Sequence, residues 1–283
     1  MERADKRTPG GLRFDDQVVL VTGAGLGLGR AYALEFARRG AHVVVNDAGV
    51  ERDGSGGGPE VAAAVGREIG GTALVSAEDV RDPTACDALV ARALERFGRL
   101  DALVHNAGTV SFATIEDTED TVWESTMAVH AGAAFRLCRA AWPVFRRQAY
   151  GRIVLTVSGV ALSVERAVDD LAAYSAGKGA QFGLMNALAV AGAPDGILVN
   201  AISPVAATRM SRDSAPPAEH VAPVVAFLAS RECRHSGTVV RVAGSRVSTG
   251  AYMSGPELDL RDEALTSERF AGLLPQLVDW RGS

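Results

Sequence analysis

The sequence predicts an α/β fold, a doubly wound parallel sheet of about seven strands with helices on both faces. Three observations carry this. Short runs of β-branched residues alternate along the chain with stretches of helical period. The first run, Val18-Val19-Leu20-Val21, is nearly continuously apolar, as a strand covered on both faces must be. It ends in a glycine-rich turn, Thr22-Gly23-Ala24-Gly25-Leu26-Gly27-Leu28-Gly29, inside which a helix opens.

In chain order, residues 1–11 are polar, carry Pro9-Gly10-Gly11 and read as a flexible tail. Strands are expected near 17–22, 42–46, 72–76, 101–105, 151–157, 197–202 and 237–242. Helices are expected between and after them, near 27–39, 60–69, 84–97, 120–148, 171–192 and 217–229. Strand, helix and strand repeated in this way imply right-handed crossovers in one sheet. No composition break marks a linker, so residues 12–283 read as a single domain with a C-terminal extension from about 245. That extension carries a helix near 266–280, capped by Thr266-Ser267-Glu268. The stretch from Gly49 to Pro59, with five glycines, is too long for a tight strand-to-helix connection and reads as a solvated, flexible loop.

Composition narrows the function classes. The 31 glycines in 283 residues exceed the usual share of about 7%, without a collagen period, so they must be read locally. A net charge of −5 offers no basic face for nucleic acid. Cys86, Cys138 and Cys233 are scattered and lack metal spacing, which points to a reducing compartment and to no metal site. The N-terminus has no apolar stretch of signal-peptide type, and no apolar run reaches the roughly 18 residues of a membrane helix. The C-terminal Arg281-Gly282-Ser283 is not a peroxisomal address, so a cytoplasmic protein without membrane association is expected.

The glycine turn explains itself chemically. A dinucleotide pyrophosphate needs bare backbone and unpaired N–H groups at a helix N-terminus. Gly23, Gly25, Leu26, Gly27, Leu28 and Gly29 are therefore candidate cofactor residues, in the pattern T-G-x-x-x-G-x-G rather than G-x-G-x-x-G. Asp47 ends the second strand 18 residues past Gly29, where a carboxylate binds adenosine ribose hydroxyls and repels a 2′-phosphate. NAD is accordingly expected over NADP. Asp79 and Val80 follow the third strand and either border the adenine or, for Asp79, cap the next helix. Asn106-Ala107-Gly108 end the fourth strand at the same edge of the sheet, with Asn106 placed to tie strands together.

Tyr174 and Lys178 stand one helical turn apart at the head of a helix, so they share a face. Read alone, the pair is equally an exposed surface pair. A nearby ammonium, however, lowers the pKa of a phenol and makes proton exchange with a substrate hydroxyl feasible. The fifth strand delivers Ser158 to the same edge, where ligands of such sheets bind, to hold a substrate oxygen.

Together, Thr22-Gly23-x-x-x-Gly27-x-Gly29, Asn106-Ala107-Gly108, Ser158 and Tyr174-x-x-x-Lys178 resemble the short-chain dehydrogenase/reductase family from about residue 14 to 244. The resemblance implies a Rossmann-like fold and hydride transfer between nicotinamide and a carbonyl or alcohol carbon. It implies that the serine orients the oxygen, the tyrosine is acid and base, and the lysine holds the nicotinamide ribose and tunes the tyrosine. Pro204 and Thr208, in Ser203-Pro204-Val205-Ala206-Ala207-Thr208, are similar to the cofactor-covering segment. It further implies a homodimer or homotetramer.

Val43-Val44-Val45-Asn46-Asp47, the 49–59 insertion and Arg139-Ala140-Ala141-Trp142 look closer still to one subgroup. These are the (3R)-hydroxyacyl-CoA dehydrogenase domains of peroxisomal multifunctional enzymes. His130 matches a position where that subgroup has a histidine and most of the family an asparagine, which implies a water-holding role beside the lysine. The substrate implied is a (3R)-hydroxyacyl-CoA or another bulky hydrophobic alcohol or ketone. A ketoreductase of secondary or lipid metabolism and a non-catalytic NAD-binding scaffold are the alternatives. Two departures stand out. Ser158 lies farther from Tyr174 than the family has it, leaving Ser163 as a second candidate serine, and the loop after Met210 is shorter than in the acyl-CoA enzymes.

Overall fold

The computed structural model describes residues 11–207, 215–250, 257 and 266–278. The chain divides after Thr249 into two compact units, each described by itself. In the first, eight strands form one sheet in the order β3-β2-β1-β4-β5-β6-β7-β8. They are β1 (Val18–Thr22), β2 (His42–Asn46), β3 (Ala73–Ser76), β4 (Ala102–His105), β5 (Gly151–Thr156), β6 (Ile197–Val205), β7 (Val239–Ala243) and β8 (Arg246–Gly250). The helices are α1 (Gly27–Arg38), α2 (Glu60–Ile69), α3 (Pro83–Phe97), α4 (Asp120–Met127), α5 (Ala133–Gln148), α6 (Ala172–Gly192) and α7 (Ala222–Leu228).

β1 through β7 pair in parallel. β8 is an addition to the seven strands expected. Only Gly244 and Ser245 separate it from β7, a connection short enough for a hairpin but not for a parallel crossover. Its five residues are all exposed, so it lacked the apolar signature that marks the others.

Alternation along β1 sends side chains into two cores. Val19 and Val21 join Tyr32 and Phe36 of α1 and Val225 and Leu228 of α7. Val18 and Leu20 join Leu89 of α3, Leu137 and Phe145 of α5 and Met185 of α6. The order reverses at β1, where β2 lies on one side and β4 on the other, and that reversal opens a crevice at the carboxyl edge.

Three expectations need correction. The single helix near 120–148 is broken by a π turn, Ala128–Gly132, in which the Ala133 N–H reaches back to the Ala128 carbonyl. The wider turn frees the carbonyls of Val129 and His130 to accept side-chain bonds from His105 Nε2 at 3.2 Å and Gln181 Nε2 at 2.9 Å. The stretch near 217–229 begins as a 3-10 turn, Ala218–His220, because Pro223 lacks the N–H that a helix continuing from there would use.

The insertion is not a free loop. Val50 and Gly56 form an antiparallel bridge, and Gly58 N–H donates to the Ala48 carbonyl at 2.9 Å. Glycine at 54, 56 and 57 supplies the positive φ this tight fold requires. In the second unit, α8 (Ser267–Val278) is the described element, with the Thr266 hydroxyl accepting from Arg269 N–H at 3.2 Å.

Candidate active site at the carboxyl edge of the sheet

A cavity of about 540 Å³ occupies the crevice. Gly23, Leu26, Gly27 and Leu28 line one wall, with Asp47, Asp79 and Val80. Asn106, Ala107 and Gly108 form its floor, and Ser158, Tyr174, Lys178 and Pro204 the other wall. Fourteen of the residues expected from sequence are therefore brought together in one space. Gly25 and Gly29 stand behind it, His130 lies beneath, and Thr208 falls outside the described residues.

The glycine turn works by what it lacks. A Cβ on Gly29 would overlap the Gly23 carbonyl oxygen, and one on Gly25 would overlap Val61. Leu26, at the N-cap of α1, gives no side-chain cap, and the first turn carries no acidic residue. The helix N-terminus thus presents bare N–H groups and a positive dipole end to the cavity. That is a cradle for a pyrophosphate, and it fits a dinucleotide.

Asp47 is held at both oxygens. Its Oδ2 accepts from Gly25 N–H and its Oδ1 from Gly49 N–H, each at 2.8 Å. Asp79 does not cap α3, since Asp82 does, accepting from Thr84 N–H at 2.8 Å. Asp79 instead pairs with Arg81 at 2.6 Å, and the Arg81 guanidinium also reaches Ser125 of α4.

Thr22 and Asn106 close the floor. The Thr22 hydroxyl accepts from the N–H groups of Asn106 and Ala107, and Asn106 Nδ2 donates to the Gly23 carbonyl at 3.1 Å. The buried His105 completes the chain. Its Nε2 donates to the Val129 carbonyl, which leaves Nδ1 to accept from the Thr22 hydroxyl at 3.0 Å. Burial pushes the His105 pKa down to about 3, so the ring stays neutral in that arrangement.

At the opposite wall α6 begins at Ala172, so Tyr174 and Lys178 stand in its first two turns. Lys178 is fully enclosed, and its Nζ donates to the Thr156 carbonyl at 2.6 Å. Burial lowers its pKa to about 7. The same burial raises the Tyr174 phenol, while a hydrogen bond with the Ser158 side chain acts in the other direction. Ser163 does not reach this group; its hydroxyl bonds Glu165. The greater spacing between Ser158 and Tyr174 is taken up by two 3-10 turns, Gly159–Ala161 and Val164–Arg166.

His130 sits in the π turn, wedged between Gly108 and Gly177, where a Cβ on either glycine would crowd the ring. Its Nε2 donates to the Thr109 carbonyl at 2.9 Å, and its ring meets Tyr174 edge-on at 5.3 Å. Burial holds it neutral, with Nδ1 lacking a partner among the described residues. Sequence reasoning passed over Thr156, which anchors Lys178 by a backbone atom, and Arg81, which lines the cavity beside Asp79. The first left no side-chain signal. The second was visible two residues after an aspartate already singled out. Among the described residues no cluster of His, Cys, Asp and Glu is arranged to hold a metal ion.

A parallel sheet, a bare helix N-terminus and a Ser-Tyr-Lys group with its lysine buried, all at one edge, define a nucleotide-dependent oxidoreductase of the short-chain type. Residues 17–218 match the short chain dehydrogenase family, and the chain belongs to it. The relatives narrow the kinship. Mouse peroxisomal multifunctional enzyme type 2 is 41% identical over 243 residues, which are 82% of this chain and 32% of that protein. A Mycobacterium tuberculosis protein named for the short-chain type dehydrogenases/reductases is 40% identical over 82% of this chain and 84% of its own length. A crystal structure of a short chain dehydrogenase from Mycobacterium avium superposes with TM-score 0.84 at 35% identity, covering 95% of this chain and 96% of that one. This chain is thus an oxidoreductase acting on CH–OH groups of small molecules with an NAD(P) cofactor. It spans less than half the length of the mouse enzyme. No helix among the described residues is long and apolar enough to cross a membrane.

Proposed function

We propose that this protein is an NAD-dependent dehydrogenase of secondary alcohols, acting on a (3R)-hydroxyacyl-CoA or a comparably bulky hydrophobic substrate. One observation carries the chemistry: Ser158, Tyr174 and Lys178 share the wall of a cavity whose other wall is a bare pyrophosphate cradle. When bound, the nicotinamide accepts or gives the hydride. Everything else falls to side chains of this chain.

The Ser158 hydroxyl holds the substrate oxygen and keeps it within reach of the Tyr174 phenol. In oxidation Tyr174 takes the hydroxyl proton as the carbon gives up its hydride; in reduction the same phenol returns it. Lys178, fixed by Thr156, places a cation beside the Tyr174 ring, 5.7 Å from Nζ to its centroid, and stabilises the phenolate. Its own pKa near 7 means that this support weakens as pH rises through neutrality in the cofactor-free protein. Gly23, Gly25, Leu26, Gly27, Leu28 and Gly29 hold the pyrophosphate. Asp79, Val80, Asn106, Ala107, Gly108 and Pro204 bound the rest of the dinucleotide.

Asp47 supports NAD over NADP. Both its oxygens are fixed by backbone N–H groups, so the carboxylate cannot swing away from a 2′-phosphate. The substrate class rests on the likeness to multifunctional enzymes named as hydratase-dehydrogenase-epimerases, such as that of Neurospora crassa, 36% identical over 95% of this chain. The proposal includes one catalytic domain from about residue 12, a cytoplasmic setting supported by three free cysteines, and self-association as a homodimer or homotetramer. A monomer mass by light scattering would remove the last part.

The test is NADH production from (3R)-hydroxybutyryl-CoA by the wild type and by Tyr174→Phe. Loss of a general acid–base group costs about 10²- to 10⁴-fold. Equal rates in the two proteins would overturn the mechanism.

A further inference from the structure

Beyond Gly49, which fixes Asp47, and Val50, which lines the cavity, the 49–59 loop has no part in the mechanism above, yet it is docked with care. Its first residue beyond Ala48, Gly49, binds Asp47. Its middle lies on the strap that follows β4, residues 108–113. The Arg52 carbonyl accepts from Val110 N–H at 2.9 Å, and the Arg52 guanidinium stands 4.9 Å from the Phe112 ring centroid. Gly54, at φ +94°, lies so close that a Cβ would stand 3.2 Å from Thr109 Cγ2 and 3.0 Å from the Arg81 guanidinium.

The other side of the strap supports the tyrosine at two points. The Thr109 carbonyl takes the Nε2 proton of His130, whose ring meets Tyr174 edge-on. Ala113 N–H donates to the Asp170 carbonyl at 3.0 Å, and Ala113 bridges to Leu171, whose carbonyl accepts from Ser175 N–H at 2.8 Å. The strap is therefore pressed between the insertion and the start of α6.

We infer that the 49–59 insertion is a positioning element for Tyr174, acting through the strap 108–113, with Arg52 as its positioning residue. The inference rests on the reading of Tyr174 as the proton carrier. Arg52 is exposed and does not itself line the cavity, and its contacts to the strap are with Phe112 and Val110, through which its effect passes. A loosened strap admits more water around the Tyr174 ring, easing the desolvation that raises the phenol.

The decisive measurement needs no cofactor. The phenolate absorbance of Tyr174 is titrated by difference, each protein against its counterpart carrying Tyr174→Phe. In Arg52→Ala and in Gly54→Val the midpoint moves to lower pH, and Arg52→Lys, which keeps a cation over Phe112, restores it. In turnover of (3R)-hydroxybutyryl-CoA, kcat falls about two- to fivefold in Arg52→Ala, the size of one exposed cation–π contact. It falls about tenfold or more in Gly54→Val, where the strap itself is displaced. KM for the alcohol changes less than kcat. An unmoved midpoint in Arg52→Ala overturns the inference, whatever happens to turnover or to the folding of Gly54→Val. Full turnover in Tyr174→Phe would sink the mechanism while leaving the titration result standing, so the two failures are distinguishable.

Discussion

The two walls of the cavity are built from opposite materials. The wall at α1 is backbone: Gly23, Gly25 and Gly29 contribute space, and the helix contributes N–H groups without a side-chain cap. The wall at α6 is side chain: a buried lysine, a half-buried phenol and a hydroxyl, held by hydrogen bonds, with the lysine and the phenol shifted in pKa by desolvation. The first wall is most sensitive to added volume, because its glycines face backbone and neighbouring side chains at close range. The second depends on where its protons sit.

Breaking the first wall has the largest expected effect. In Gly29→Ala the new Cβ overlaps the Gly23 carbonyl, and backbone cannot yield as a side chain end can. Overpacking of this kind costs about 1–3 kcal/mol or more. Thermal unfolding is expected at lower temperature, and NAD binding by fluorescence titration is expected to vanish. Retained NAD affinity would show that the cradle is not where the pyrophosphate lies.

On the second wall Ser158→Ala is expected to lower kcat by about 10²-fold or more, the usual size of a lost oxygen-stabilising donor, with little change in stability. Ser163→Ala, its control, should leave kcat unchanged, because that hydroxyl is engaged with Glu165 instead. The opposite ranking would reassign the serine.

Lys178 sharpens the contrast through pH. Its folded pKa lies near 7, well below that of an unfolded lysine. Between those two values the unfolded chain binds the extra proton, so its contribution to stability rises with pH across that window. Below about 7 the burial penalty is full; above about 10.4 it is gone. The difference in Tm between Lys178→Met and the wild type, without cofactor, should therefore fall steadily from pH 7 to pH 10. A constant difference would show the lysine charged in the folded protein.

The smallest effect concerns specificity. Asp47→Ala should narrow the preference for NAD over NADP by about tenfold, the worth of roughly 1.4 kcal/mol. Both affinities should drop somewhat, because Gly25 and Gly49 lose their common acceptor. If NADP already binds the wild type more tightly, Asp47 does not face the ribose.

Much of the first wall could be read directly from residues. Glycine spacing after an apolar strand is a statement about backbone access, and backbone access is local. Strands β1, β2, β4, β5 and β6 were legible for the same reason, since double burial writes itself as continuous apolarity, while the partly buried β3 and β7 showed as short β-branched or apolar runs. β8 was not, because it lies exposed at the sheet edge and buries nothing. The π turn at Ala128–Gly132 was hidden too: its reason lies in His105 and Gln181, brought to it from other elements.

The sequence by itself determined the fold class, the strand-edge placement of the glycines, Asp47, Asn106, Ser158, Tyr174 and Lys178, and the family to which they belong. Each of these depends on residue type at short separation, which periodicity and spacing record. Only the tertiary structure decided that Ser158 rather than Ser163 meets Tyr174, that Asp82 rather than Asp79 caps α3, and that the glycine-rich insertion is folded onto the strap. Those outcomes depend on contacts between segments far apart in the chain, and on burial, which no single segment carries in its own sequence.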